Sequence, residues 1–239
     1  MGEGILNFWA EFHEAIETSS DSNSASKSIF YRGVSDASYS LLPSIARGVS
    51  KEELQSIETK MLGEFKRLSA PLVDRQNSSE IELLFLAQHY GLPTRLLDWT
   101  TSPLVALFFA VEKDDQKDGV LHIKVAPLKE FGPDYDYHDS IKPPPYISLK
   151  RPIIHINHEY FVRPSYLDSR YASQKSVFSY STIPTQAIES DKKIEISSKL
   201  KKPIRDFLKV VGISHSSIYP GLEGISREIK DHIFMDNNL

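Results

Sequence analysis

Residues 84–110 read LFLAQHYGLPTRLLDWTTSPLVALFFA and set Gln88, His89, Arg95, Asp98, Thr100, Thr101 and Ser102 between two apolar helical runs. Burying such groups unpaired costs roughly 1–3 kcal/mol each, and more for the charges, so the fold must satisfy them or the function must use them. Arg32 stands outside this block, beside Gly33 at the end of the short run SIFY. Its planar fork suits a phosphate or carboxylate, and the neighbouring glycine permits close backbone approach; an internal salt bridge to Asp98 is the competing use. Thr100, Thr101 and Ser102 lead straight into a helix whose free amides favour an anion, with plain N-capping by Ser102 as the alternative. Trp99 can stack on a base or belong to the core. Arg95 and Asp98, three apart in an extended piece, face opposite sides and need different partners. Gln174, in RYASQKSVF with Arg170 four residues earlier, can orient a ribose hydroxyl or a base edge, but it is a poor general base. Its ordinary use is a backbone hydrogen bond at the entrance of the strand that follows.

Several chemistries are excluded. The absence of cysteine removes thiolate nucleophiles, disulfides and sulfur-ligated zinc. The eight histidines form no compact two-histidine helical motif with a neighbouring acid; His155 and His158 are close, but lie in a strand-like segment. No metal is therefore expected. Walker, GxGxxG and GxSxG patterns are missing. A formal net charge of −4 argues against a globally basic nucleic-acid binder. The acidic start MGEGILNFWAEFHEA and the lack of a 20-residue apolar run predict neither export nor membrane insertion, hence a cytoplasmic chain.

The elements that must position these groups follow from periodicity and punctuation. Ile5, Phe8, Trp9, Phe12 and Ile16 mark a helix, and the SSDSNSASKS after it reads as a surface loop. Strands are predicted at 28–33, 119–126, 152–157, 160–162, 176–181 and 193–197, with a short extended piece at 94–99. Helices are predicted at 51–70, at 79–89 with Ser79 and Glu82 as a capping box, from Pro103 onward, at 202–211 and at 222–234, with a helical turn around 165–172. The helix after Ser102 is apolar almost all round, so it must be central. Residues 127–152, rich in proline and tyrosine, read as an ordered surface excursion. The expected architecture is α+β: one mixed or antiparallel sheet with helices packed around it, in a single domain.

Phe30-Tyr31-Arg32-Gly33, the block QHYGLPTRLLDWTTSPLVALFFA, the segment RYASQKSVF and the tail GISHSSIYPGLEGISREI together resemble the FRG domain, a bacterial family named for a Phe-Arg-Gly motif. Here a tyrosine is interposed in that motif. The resemblance divides the chain into a helix and polar loop at 1–27, the domain at 28–229 and a tail at 230–239. A more distant likeness, in the order of motifs, is to the ADP-ribosyltransferase fold. It implies a nucleotide-directed enzyme using NAD as co-substrate on a protein or nucleic-acid target, acting as a toxin or defence effector. In that correspondence Arg32 binds the NAD phosphates; Thr100, Thr101 and Ser102 support the nicotinamide ribose; and Gln174 stands where the fold has a glutamate, with Asp98 as the acid to fall back on. Gln174, Asp98 and Ser102 are the catalytic set it implies, and Tyr31, Arg32, Gly33, His89, Arg95, Trp99, Thr100, Thr101 and Phe178 the cofactor-binding set. A module that recognises a nucleotide or nucleic acid without catalysis, and a protein-interaction scaffold, are the alternatives.

Overall fold

The structure is a computed structural model and describes residues 2–21, 27–72, 80–129, 159–164, 169–181 and 183–236. The predicted strand at 152–157, Ser79 of the predicted capping box, most of the proline-rich excursion and the first half of the predicted turn at 165–172 lie outside the described residues.

The sheet contains β1 (Ser28–Val34), β2 (Leu96–Thr100), β3 (Gly119–Ala126), β4 (Leu128–Lys129), β5 (Glu159–Val162), β6 (Ser176–Ser181) and β7 (Lys192–Ile196). Their order is β4-β5-β6-β2-β1-β3-β7. Pairing is antiparallel except between the two-residue β4 and β5. The helices are α1 (Gly2–Asp21), α2 (Lys51–Leu68), α3 (Glu80–His89), α4 (Pro103–Val111), α5 (Ser169–Ser173), α6 (Ser198–Val210), α7 (His215–Ile218) and α8 (Leu222–Asp236). This is the expected α+β fold.

Strand alternation sorts the core into two faces. Tyr31, Leu121, Ile123, Ile194 and Ile196 point to one face, under α1, α4 and α6. Leu96, Phe178 and Tyr180 continue that face under α2, α3 and α5. Phe30, Leu97, Trp99, Phe161 and Val177 occupy the other face, capped by Leu41 and Ile188, with Phe30 stacked on Phe161 at 4.3 Å. The helix α4 is central as its composition requires: Ala106, Leu107, Ala110 and Val111 have no exposed surface. Its backbone lies directly on the sheet. A Cβ at Gly33 would stand 1.8 Å from the Ala106 carbonyl oxygen, and one at Gly119 would stand 2.4 Å from that of Ala110.

The sharpest departures from expectation are at α1, at α6 and at the start of the excursion, and α7 (His215–Ile218) was not expected. The first helix does not stop at the serine-rich run but continues to Asp21, and there Thr18, Ser19 and Ser20 return their hydroxyls to carbonyls four residues back, at 2.7, 2.6 and 2.9 Å. The sixth helix begins at Ser198, ahead of the predicted Lys202, and carries Pro203 inside it. Lys201 explains the early start: fully buried, its ammonium donates to the carbonyls of Ser35, Lys113 and Asp114 at 2.6, 2.9 and 2.9 Å, which bolts α6 to the turn after α4. Finally, Leu128–Lys129 forms a short edge strand where the excursion was expected to begin.

Candidate functional site

The strands β1 and β2 share a single rung, Tyr31 opposite Thr100, and Arg32 lies just beyond it, alongside the facing end of β2. Alternation puts Arg32 on the Phe30 face and Asp98 on the opposite one, yet they meet. One Arg32 terminal nitrogen donates to the Asp98 main-chain carbonyl and stands 3.9 Å from the Asp98 carboxylate. The Arg32 side chain is 18% exposed and that of Asp98 62%. Arg32 Nε is buried without a hydrogen-bond partner. Burial depresses the guanidinium pKa; the Asp98 charge opposes this and nearby Arg47 adds to it. A guanidinium has five donors, stays charged in any protein environment, and here is only partly satisfied.

Asp98 is held from the other side. Gln88, in the last turn of α3, donates its amide to the carboxylate at 3.1 Å and accepts from the Thr94 hydroxyl. The chain Thr94–Gln88–Asp98–Arg32 thus crosses from α3 through β2 to β1, and it contains the Arg32–Asp98 contact that the sequence offers as one of two uses of Arg32. Thr94, fully buried, was not singled out from the sequence.

A second cluster sits further along β2, where Thr100 shares a strand face with Asp98, two residues and roughly 7 Å away. Thr100 Oγ1 donates to the Gln174 carbonyl at 2.7 Å and accepts from Ser102 N at 3.0 Å. Thr101 N donates to the Lys175 carbonyl at 3.2 Å. Ser102 occupies the N-cap position of α4, but its hydroxyl makes no capping bond; Thr100 does the local bonding. The Gln174 carboxamide donates to the Ile218 carbonyl at 3.2 Å, tying α5 to α7. Lys175 takes a left-handed backbone conformation at φ 46°, which an L-residue adopts only where its surroundings impose it. No bond joins the Gln174–Ser102 cluster to Arg32. Asp98 and Thr100, on one strand, are the link.

The remaining predicted residues lie in the framework. Trp99 is 3% exposed, with its indole N–H on Ser179 Oγ at 2.9 Å. Phe178 stacks on Phe85 at 5.0 Å inside the core. Tyr31 is buried among α4 residues, which pushes its hydroxyl pKa up. Gly33 does grant close backbone approach, but to α4. His89 packs edge-on to Tyr171 at 5.3 Å. Arg95 forms a buried bidentate pair with Glu58 of α2 and donates to the Tyr180 hydroxyl at 3.2 Å. Burial opposes the Arg95 charge, but hydrogen bonding to Glu58 and the Tyr180 hydroxyl outweigh it and raise its pKa above the ordinary value.

Across β1, β3 and β7 the register adds groups that sequence reading passed over. His122 stands opposite Arg32, and Lys193 opposite His122. Its Nδ1 lies 3.0 Å from Ser190 Oγ. Burial, then Arg32, then Lys193 bring the His122 pKa down to about 4. A groove of about 350 Å³ between α1 and β7 is lined by Glu11, Glu14, Thr18, Lys192 and Lys193, so it presents both signs of charge. Among the described residues, no group of three or more His, Asp or Glu is arranged to hold a metal ion, and no helix is long and apolar enough to cross a membrane.

Residues 27–119 match the family model described as the FRG domain. This match includes Arg32, Gln88, Thr94, Asp98 and Thr100, and ends before Gln174. Comparison with curated proteins and with solved structures found no match.

Proposed function

We propose that this domain recognises a phosphorylated nucleotide through Arg32, with NAD as the first ligand and ADP-ribosyl transfer to a protein or nucleic acid as the reaction. The observation that supports the reading is the incomplete pairing of Arg32. Among the described residues, this mostly buried, permanently charged guanidinium makes one bond to a carbonyl, meets one acid, at 3.9 Å, and leaves Nε without a partner. Phosphate oxygens would complete that set with charge-assisted bonds, which are about twice as strong as neutral ones. NAD would supply the ADP-ribosyl unit, with nicotinamide as the leaving group. Asp98, an exposed carboxylate beside Arg32, is the acid positioned to offset positive charge developing at the ribose. A role as toxin or defence effector predicts growth arrest on expression, relieved by Arg32→Ala.

Binding without transfer is the second reading, and one observation favours it: Gln174 is occupied at both its amide and its backbone carbonyl, by Ile218 and Thr100. Titration calorimetry with NAD, followed by a mass assay for released nicotinamide, separates the two. Binding with release supports transfer, and binding without release supports the module. An absence of NAD binding that Arg32→Ala leaves unchanged contradicts both.

A further inference from the structure

The two edges of the sheet differ. On one side β4 ends it with two residues, while on the other β7, Lys192–Ile196, ends it with five. Among the described residues β7 pairs with β3 alone, so alternate amides and carbonyls along its outer side point away from the sheet. An unpaired edge of this length is a template for another strand unless its side chains forbid it. Those side chains alternate. Ile194 and Ile196 are buried in the core formed with α1, α4 and α6. Lys193 and Glu195 stand on the opposite face, 62% and 71% exposed, and meet at 3.1 Å. The groove of about 350 Å³ between α1 and β7 reaches Lys192, Lys193 and Ile194, so α1 leaves that part of the strand open.

We propose that β7 is the interface between two copies of this chain, paired antiparallel about a two-fold axis centred on Ile194. Such an axis runs perpendicular to the sheet and keeps every side chain on its own face. Directly opposite residues also share a face, so the axis must pass through a residue position and pair that residue with its own copy. A centre on Lys193 sets two lysines against each other, and a centre on Glu195 sets two glutamates together; like charges directly opposite destabilise a sheet. Centred on Ile194, all five residues of each strand are paired, and Lys193 faces the partner's Glu195 in both directions. With the contact already present inside each strand, the four charges alternate in sign around the axis. Lysine on an edge commonly blocks pairing. Here the glutamate two residues on turns that block into the choice of one register and one partner.

Sedimentation equilibrium of the whole chain over a range of concentrations tests this, with urea midpoints to confirm that each variant folds. Wild type is expected to dimerise. Lys193→Glu and Glu195→Lys, both on exposed side chains, should each weaken the dimer by roughly tenfold or more, since either one replaces two attractive cross-strand pairs by two repulsive ones. Mixing the two variants should restore a dimer containing one of each, because their charges are then complementary. Both substitutions in one chain should restore the homodimer. A wild type that stays monomeric at every concentration overturns the proposal. So does a dimer that both single substitutions leave intact, which would be joined elsewhere, for instance through the exposed Leu222, Ile225 and Ile229 of α8. Dimerisation lost in the single variants and regained neither by mixing nor by the double substitution overturns the register centred on Ile194.

Discussion

The Arg32 guanidinium donates to the main-chain carbonyl of Asp98 while standing 3.9 Å from the same residue's carboxylate, so the side chain that should neutralise it is adjacent but not joined to it. An exposed carboxylate at that range contributes little to stability and competes weakly with an incoming anion. The two readings of the site therefore diverge at this residue. Asp98→Asn should change unfolding free energy by no more than about 0.5 kcal/mol. Phosphate affinity in the variant should be equal to or higher than that of wild type. Under the transfer reading, nicotinamide release should also fall at least tenfold. Weaker phosphate binding at unchanged stability would show that Asp98 orients Arg32 instead of merely neighbouring it.

Gly33 tests what the glycine of the Phe-Tyr-Arg-Gly run does. Its Cβ would overlap the Ala106 carbonyl at 1.8 Å and the Ala110 amide at 2.6 Å, both of them α4 backbone. Gly33→Ala should give insoluble or unfolded protein. Gly63→Ala, in an exposed part of α2 with nothing within 4 Å, is the control; it should gain up to about 1 kcal/mol from helix propensity. Urea midpoints for the soluble variants check both.

Arg95 and Glu58 form a buried pair, 9% and 1% exposed, that joins α2 to the entrance of β2. Removing either partner strands the other charge. Arg95→Met and Glu58→Gln should each cost about 3–5 kcal/mol. Their combination should cost less than the sum, as a double-mutant cycle in urea would measure.

The pH dependence of stability carries the signature of His122. Its folded pKa of about 4 lies below the ordinary value of 6.5. Above pH 6.5 the imidazole is neutral whether folded or unfolded, and nothing is lost. As pH falls from 6.5 toward 4, the unfolded chain takes up the proton before the folded one does, so stability declines across that window. His122→Gln should flatten the decline between pH 6.5 and 4.5, where most carboxylates remain ionised. A wild-type urea midpoint independent of pH over that interval would contradict the burial of a neutral His122.

Elements were more legible in the sequence than the contacts between them. Pro103 after Ser102 and the all-apolar run behind it announced α4 and its central position. The alternation of SVFSYS announced β6. Ser19 and Ser20 misled because their hydroxyls bond back along α1, a geometry that composition alone assigns to a loop. Ser50 and Glu53 have the capping-box form predicted for Ser79 and Glu82, and Ser50 does cap α2, with its Oγ accepting from Glu53 N at 3.3 Å. The Arg32–Asp98 contact was anticipated as one of two possibilities, since both belong to polar groups in an apolar block that needs pairing. Thr94 and Gln88 completing that chain, and His122 standing opposite Arg32, follow from long-range packing and register, which leave no local mark in sequence. Trp99, open in sequence to base stacking or to the core, and Phe178, in the cofactor set only through the distant likeness, both have their rings in the core.

The most direct test of the account is calorimetric titration of NAD into wild type and Arg32→Ala, the two proteins matched by urea midpoint, since loss of one partly paired arginine should not unfold the domain. Saturable binding to wild type and at least a tenfold loss of affinity in Arg32→Ala are expected, reflecting charge-assisted bonds that an alanine cannot make. Equal affinity in the two proteins would contradict it.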